Sequence, residues 1–318
     1  MAVTGRPDRI MVPRICALVA ALAVVVGGGT SCSSPSASGA LASPFDASSP
    51  WRQVIPADAP VDPNSTAMIA SVQPTPALNA NLVAYGIPIY AAGRDTPTYA
   101  VACTRVDYGL CPFAGWPVAI PDGAEPNTGS DGVLVSVQES SGIIFEFWRA
   151  VRDGETWTTA FGAVNSLHGS GWGGAATGSG ASRLAGVVRV AEIADGEIPH
   201  ALALQSNNAC PTFRAPALKS DGTSTRADCI PEGARLQLDP ELDLGSLDLR
   251  PGELAVARAM QRYGGYLMDV ANTPLSVSFE READPAADEV GQTYSDAGFR
   301  WDYDAMENVP WDKLRVLK

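Results

Sequence analysis

The chain reads as a mainly β protein, a single β-sandwich or jelly-roll-like domain with a few short helices over residues 50–318. Two observations predict this. Of its 318 residues, 31 are Gly and 25 are Pro, well above the usual share of about 12%, so turns are frequent and strands short. Between those turns, apolar residues recur mostly with the period of two that suits a strand.

Residues 1–31 carry the three parts of a signal peptide: a basic start (Arg6, Arg9, Arg14), an apolar run over 15–26, and small residues before Cys32. That run is too short to span a bilayer, which takes about 20 residues. Gly29-Thr30-Ser31-Cys32 resembles the lipoprotein cleavage box, although the box usually has an aliphatic residue where this chain has Gly29. Lipidation of Cys32 is therefore expected, against plain secretory cleavage. Residues 32–49, rich in Ser, Ala and Pro, read as a flexible tether.

Cysteine counting agrees with a tether. Of six cysteines, Cys16 leaves with the leader and Cys32 is assigned to a lipid. Cys103, Cys111, Cys210 and Cys229 then pair without remainder, as an oxidising compartment favours. Of the three connectivities, Cys103–Cys111 with Cys210–Cys229 closes the shortest loops. No Cys-x-x-Cys occurs and there are two histidines, so no metal or other cofactor is expected.

Within the domain, 64–72 reads as a short capped helix, and 82–90 and 99–103 as strands. Val133, Val135 and Val137 alternate with Leu134 and Ser136; a Ser140-Ser141-Gly142 turn and a strand over 143–151 complete a hairpin. Residues 156–161, 187–190, 201–205 and 234–238 continue the β pattern. Pro251, Leu254, Val256, Ala257, Met260 and Tyr263 carry helical spacing, with Gly264 as the stop. Strands over 266–270 and 275–280 follow.

The formal charge is −13, and removing the leader's three arginines and one aspartate makes it −15. So acidic a chain repels nucleic acid and anionic lipid heads, leaving a lipid anchor as the route to a membrane.

The stretch Phe145-Glu146-Phe147-Trp148-Arg149 puts Glu146 and Trp148 on one strand face. An acid beside a tryptophan suits a polysaccharide cleft, the ring stacking on a sugar and the carboxylate acting as acid, base or nucleophile. A solvated Glu beside a half-buried Trp is the plainer reading. Glycan hydrolysis usually needs a second carboxylate. Asp269, in an apolar strand, is the first candidate and Asp131 a weaker one. His200 could move protons or orient a carboxylate. Trp172 and Tyr266 complete a candidate binding surface, with His168 near Trp172. Gly-x-Ser-x-Gly and His-Glu-x-x-His are absent from the sequence, which weakens esterase and protease readings.

In order along the chain, Ser49-Pro50-Trp51, Ile120-Pro121-Asp122-Gly123-Ala124, Gly196-Glu197-Ile198-Pro199-His200-Ala201-Leu202, Ile230-Pro231-Glu232-Gly233-Ala234-Arg235-Leu236 and Arg262-Tyr263-Gly264-Gly265-Tyr266 resemble a family of exported actinobacterial proteins of unassigned activity. Asp131-Gly132-Val133 stands where relatives commonly carry Asp-Arg-His. The resemblance implies secretion and one domain, and supplies no catalytic residue. Two functions are carried forward: an exported enzyme cleaving an extracellular glycan, and a non-catalytic surface lipoprotein that binds a glycan or a partner protein.

Overall fold

A computed structural model describes residues 44–72, 78–174, 176–282 and 288–318. The leader, Cys32 and the tether up to residue 43 lie outside the described residues.

The fold is mainly β. Its largest sheet has six strands, in spatial order Asn79–Asn81, Ser276–Ser278, Leu202–Ser206, Gly265–Val270, Arg235–Leu238 and Leu314–Val316. Leu202–Ser206 runs parallel to Gly265–Val270. A parallel pair needs a long crossover, and the helix Pro251–Arg262 lies in that connection. A second sheet orders Phe161–Ser166, Ile143–Trp148, Leu134–Gln138 and Ile89–Ala91.

Alternation along the strands sorts side chains into three cores. Leu202, Leu204, Leu236 and Leu267 face one way, packing with Val256 and Met260 of the helix. Ala201, Ala203, Tyr266 and Met268 face the other way and meet Val135, Val137 and Ile144 of the second sheet. This is the sandwich interior. Leu134, Phe145 and Phe147 fill a third core with Trp157 and Phe113 on the second sheet's other face. Full burial of each such side chain contributes about 1.5–3 kcal/mol.

The helix forms where its spacing predicts. Pro251 occupies the first turn, and Glu253 reaches back to accept the Arg250 N–H at 2.9 Å. Gly264, at φ +66°, adopts the left-handed conformation just beyond its end. The hairpin also forms, with Val135 opposite Glu146. Its second strand stops at Trp148, because Arg149 turns to φ +56°. Val151–Asp153 instead pairs with Thr156–Thr159 in a separate three-stranded sheet.

Three segments differ from expectation. Of residues 82–90, only Ile89 and Tyr90 lie in a strand and Ile87 makes a single bridge, because the chain turns before Gly86, whose N–H donates to the Val83 carbonyl at 3.2 Å. Residues 187–190 contribute a single bridge, Val188 to Phe279, and Val190–Asp195 is a helix. Glu192 accepts the Arg189 N–H and Gly196 closes the end at φ +71°, start and stop signals that a period-two reading passes over. At the other end, Phe45 and Ser49 are 4% and 2% exposed, so packing begins before Pro50.

Cys103 is joined to Cys111 and Cys210 to Cys229. Such bonds persist in oxidising compartments. Among the described residues no helix is long and apolar enough to cross a membrane.

Candidate functional site

Glu146 lies on the face shared with Ile144, inside the sandwich, and is 0% exposed. Its Oε1 accepts a hydrogen bond from the Ser182 hydroxyl, while Oε2 is without a hydrogen-bond partner. Burial drives its pKa up; the Arg183 main-chain N–H, Ser182 and Asn165 pull the other way without cancelling it. In this conformation Glu146 cannot touch a polymer.

The segment around Ser182 links Glu146 to Asp269. Arg183 donates from Nη1 to Asp269 Oδ2 at 3.0 Å and from Nη2 to the Ala176 carbonyl at 3.1 Å. Asp269 Oδ1 also accepts the Gly178 N–H at 3.3 Å. Burial raises the Asp269 pKa; Arg183 opposes that, and Asp221 and Asp131 add to it. Asp221 packs so closely on Gly178 that a Cβ there would collide with its carboxylate.

Asp221 in turn meets Glu232, which was not singled out for chemistry. Glu232 is 0% exposed, and no side chain among the described residues donates to either of its oxygens. Neighbouring carboxylates disfavour one another's charge, which favours a protonated Glu232. Burial first, then Asp221 and Asp269, drive the Glu232 pKa up. Although three acids gather here, among the described residues no set of His, Cys, Asp and Glu is arranged to hold a metal ion.

His200 is placed elsewhere. Its Nε2 lies 3.0 Å from Glu192 Oε1 and its Nδ1 2.9 Å from the Ala201 carbonyl. Burial pulls its pKa down, but Glu192 outweighs this and leaves it raised. With an acceptor at each nitrogen, the ring is fixed in position and its protonated form is favoured. No hydrogen bond or ion pair joins His200 to Glu146 or Asp269 among the described residues.

The aromatic candidates separate too. Trp172 stacks on the buried Trp51, with ring centroids 5.2 Å apart, and both meet the edge of Tyr266. This cluster pins residues 50–51 to the sandwich. Trp148 has Tyr108 stacked at 6.1 Å and the Arg149 guanidinium 4.7 Å from its centroid. Its Nε1 donates to Asp131 at 3.2 Å. Its faces are thus occupied by neighbours. His168 is exposed beyond the strand Phe161–Ser166.

An open aromatic surface lies at Trp116, which is 41% exposed. It lines a groove of about 550 Å³ with Phe161, Val164, Gly180, Leu218 and Lys219. Tyr108, half exposed, packs edge-on against Phe161 at 5.6 Å. Gly180 ties the groove to the segment that carries Ser182 and Arg183. The only sequence signal for this surface was the concentration of aromatics in and after the short Cys103–Cys111 loop.

No protein-family model, curated protein or solved structure matches the chain, so the geometry alone bears on function.

Proposed function

We propose that this is an exported, lipid-anchored protein that binds an extracellular glycan non-catalytically, in the groove beside Trp116. The carrying observation is a part-exposed indole, Trp116, that lines one groove with the apolar side chains of Phe161, Val164 and Leu218 and with Lys219. A sugar ring offers an apolar face to such an indole and hydroxyls to polar groups around it. The tether reading rests on Gly29-Thr30-Ser31-Cys32 and the cysteine count; two intramolecular disulfides support the oxidising compartment.

Cleavage is the weaker reading, because Glu146 is sealed in the sandwich and Asp269 is ion-paired. Affinity electrophoresis of the purified protein through a panel of polysaccharides tests the proposal: retardation without release of reducing ends supports binding, and release of reducing ends favours an enzyme. A partner protein is the second reading, favoured by Val106 and Leu110, which stand 83% and 94% exposed on the disulfide-closed loop. Retention by no polysaccharide would move the proposal to that surface.

A further inference from the structure

A separate cavity of about 440 Å³ shares no lining residue with the Trp116 groove. Its walls include Pro56, Pro60, Pro216 and Tyr266, with Arg214 and Arg235 supplying charge and Lys318 also present. Asp58 is the one acid among its lining residues. Three basic side chains stand against Asp58 and the Asp62 that pairs with Arg214, an excess of one positive charge in a chain of net charge −13.

The two arginines are in different states. Arg214 is neutralised by an ion pair with Asp62 and donates from Nη1 to the Leu317 carbonyl at 3.1 Å. Arg235 has no such partner. Leu236 and Leu238 of its strand are fully buried in the core, which turns Arg235 to the opposite face. Its Nε donates to the Tyr263 carbonyl at 2.8 Å and its Nη2 to the Gln53 carbonyl. Among the described residues Nη1 makes no hydrogen bond and no carboxylate pairs with the guanidinium. The group lies 5.1 Å from the Tyr266 ring centroid, over its face. Two carbonyls hold the fork in place, and Arg235 is among the residues that line the cavity.

A half-buried guanidinium without a counter-charge is costly, and an entering anion would supply what is missing. Burial depresses its pKa, with Tyr266 the opposing influence. One unpaired guanidinium suits a single negative charge better than a dianion. We propose that this cavity binds a small monocarboxylate carried on a ring, its carboxylate against Arg235 and its ring against Pro56, Pro60 and Pro216. The proposal does not rest on the glycan reading, since the two sites share no residue.

Ligand-observed saturation-transfer NMR on the purified protein tests it, with D-glucuronate, benzoate and D-glucose as probes at millimolar concentration. Transfer to glucuronate or benzoate, but not to glucose, is expected; whichever acid gives it tells a carbohydrate acid from an aromatic one. Arg235→Met should weaken that binding at least about tenfold, by loss of a charge-assisted hydrogen bond. Because Arg235 also holds two carbonyls, Ala59→Trp serves as the second variant, filling the cavity while leaving Arg235 untouched, and should abolish the signal. No transfer to either acid, equal transfer to glucose, or unchanged binding in both variants would overturn the proposal.

Discussion

Replacing Glu232 by Gln should make the protein less sensitive to alkaline pH. In the wild type, burial and the facing Asp221 push the Glu232 pKa up to about 9, from an ordinary 4.5. The folded state therefore keeps a proton that the unfolded chain releases near its ordinary pKa. The neutral carboxyl is compatible with folding below that value, and stability falls as pH rises toward the folded pKa. Each unit of difference is worth about 1.4 kcal/mol, so the full shift would cost ~5 kcal/mol at pH 8. Burial is the larger cause, and relaxation with water entering beside the exposed Asp221 relieves part of it, so we expect about half, ~2 kcal/mol. The amide in Glu232→Gln keeps the shape, can donate to Asp221 and carries no proton to lose. Urea unfolding at pH 5 and pH 8 measures the difference. The wild type should lose ~2 kcal/mol more than the variant between the two pH values. Equal losses, or a variant less stable at pH 8, would show that Glu232 does not hold a proton in the folded state.

Other perturbations test separate parts of the account. Replacing both Cys210 and Cys229 by Ala opens a loop of 19 residues' separation and should cost about 3 kcal/mol in urea unfolding; no change would mean the bond does not constrain the unfolded chain. Gly264→Ala should lower stability by at least ~1 kcal/mol, since the residue sits at φ +66° and an added Cβ would meet the Leu236 carbonyl; a neutral result would contradict the tight approach of helix end to strand. Cys32→Ser should shift the protein from membrane fraction to medium, and a wild type already wholly in the medium would remove the lipid anchor. Glu146→Gln should leave polysaccharide retention within twofold, because that carboxylate is sealed from the groove; loss of retention with the fold intact would show that Glu146 acts on the ligand.

Local features of the fold were legible because local rules made them. The hairpin around Ser140-Ser141-Gly142 declares its turn and its alternation, the helix Pro251–Arg262 carries a start and a stop, and each disulfide closes a short loop. What the face of Glu146 meets was not legible. Alternation shows that Glu146 and Ile144 share a side, but that side is closed by Ala203, Tyr266 and Met268. Those residues come from strands whose parallel pairing is non-local, with no turn to announce it. An acid and a tryptophan two residues apart read equally well as a cleft or as a sandwich interior. The neighbouring acids Asp221 and Glu232 belong to separate segments, and both act on Asp269 or are acted on by it from a third. The Pro-Glu-Gly stretch was conspicuous in sequence, yet only the packing around it leaves Glu232 without a side-chain donor among the described residues.

The central claim is that Trp116 presents the binding face for a glycan. Affinity electrophoresis of wild type and Trp116→Ala, on the polysaccharide that retains the wild type best, tests it most directly. Loss of the stacking surface is worth about 1 kcal/mol, so Kd should rise about fivefold with the circular dichroism spectrum unchanged. Trp148→Ala is the control, since Trp148 is covered by Tyr108 and Arg149 and should change Kd less than Trp116→Ala does. Equal retention of Trp116→Ala and wild type would contradict the account.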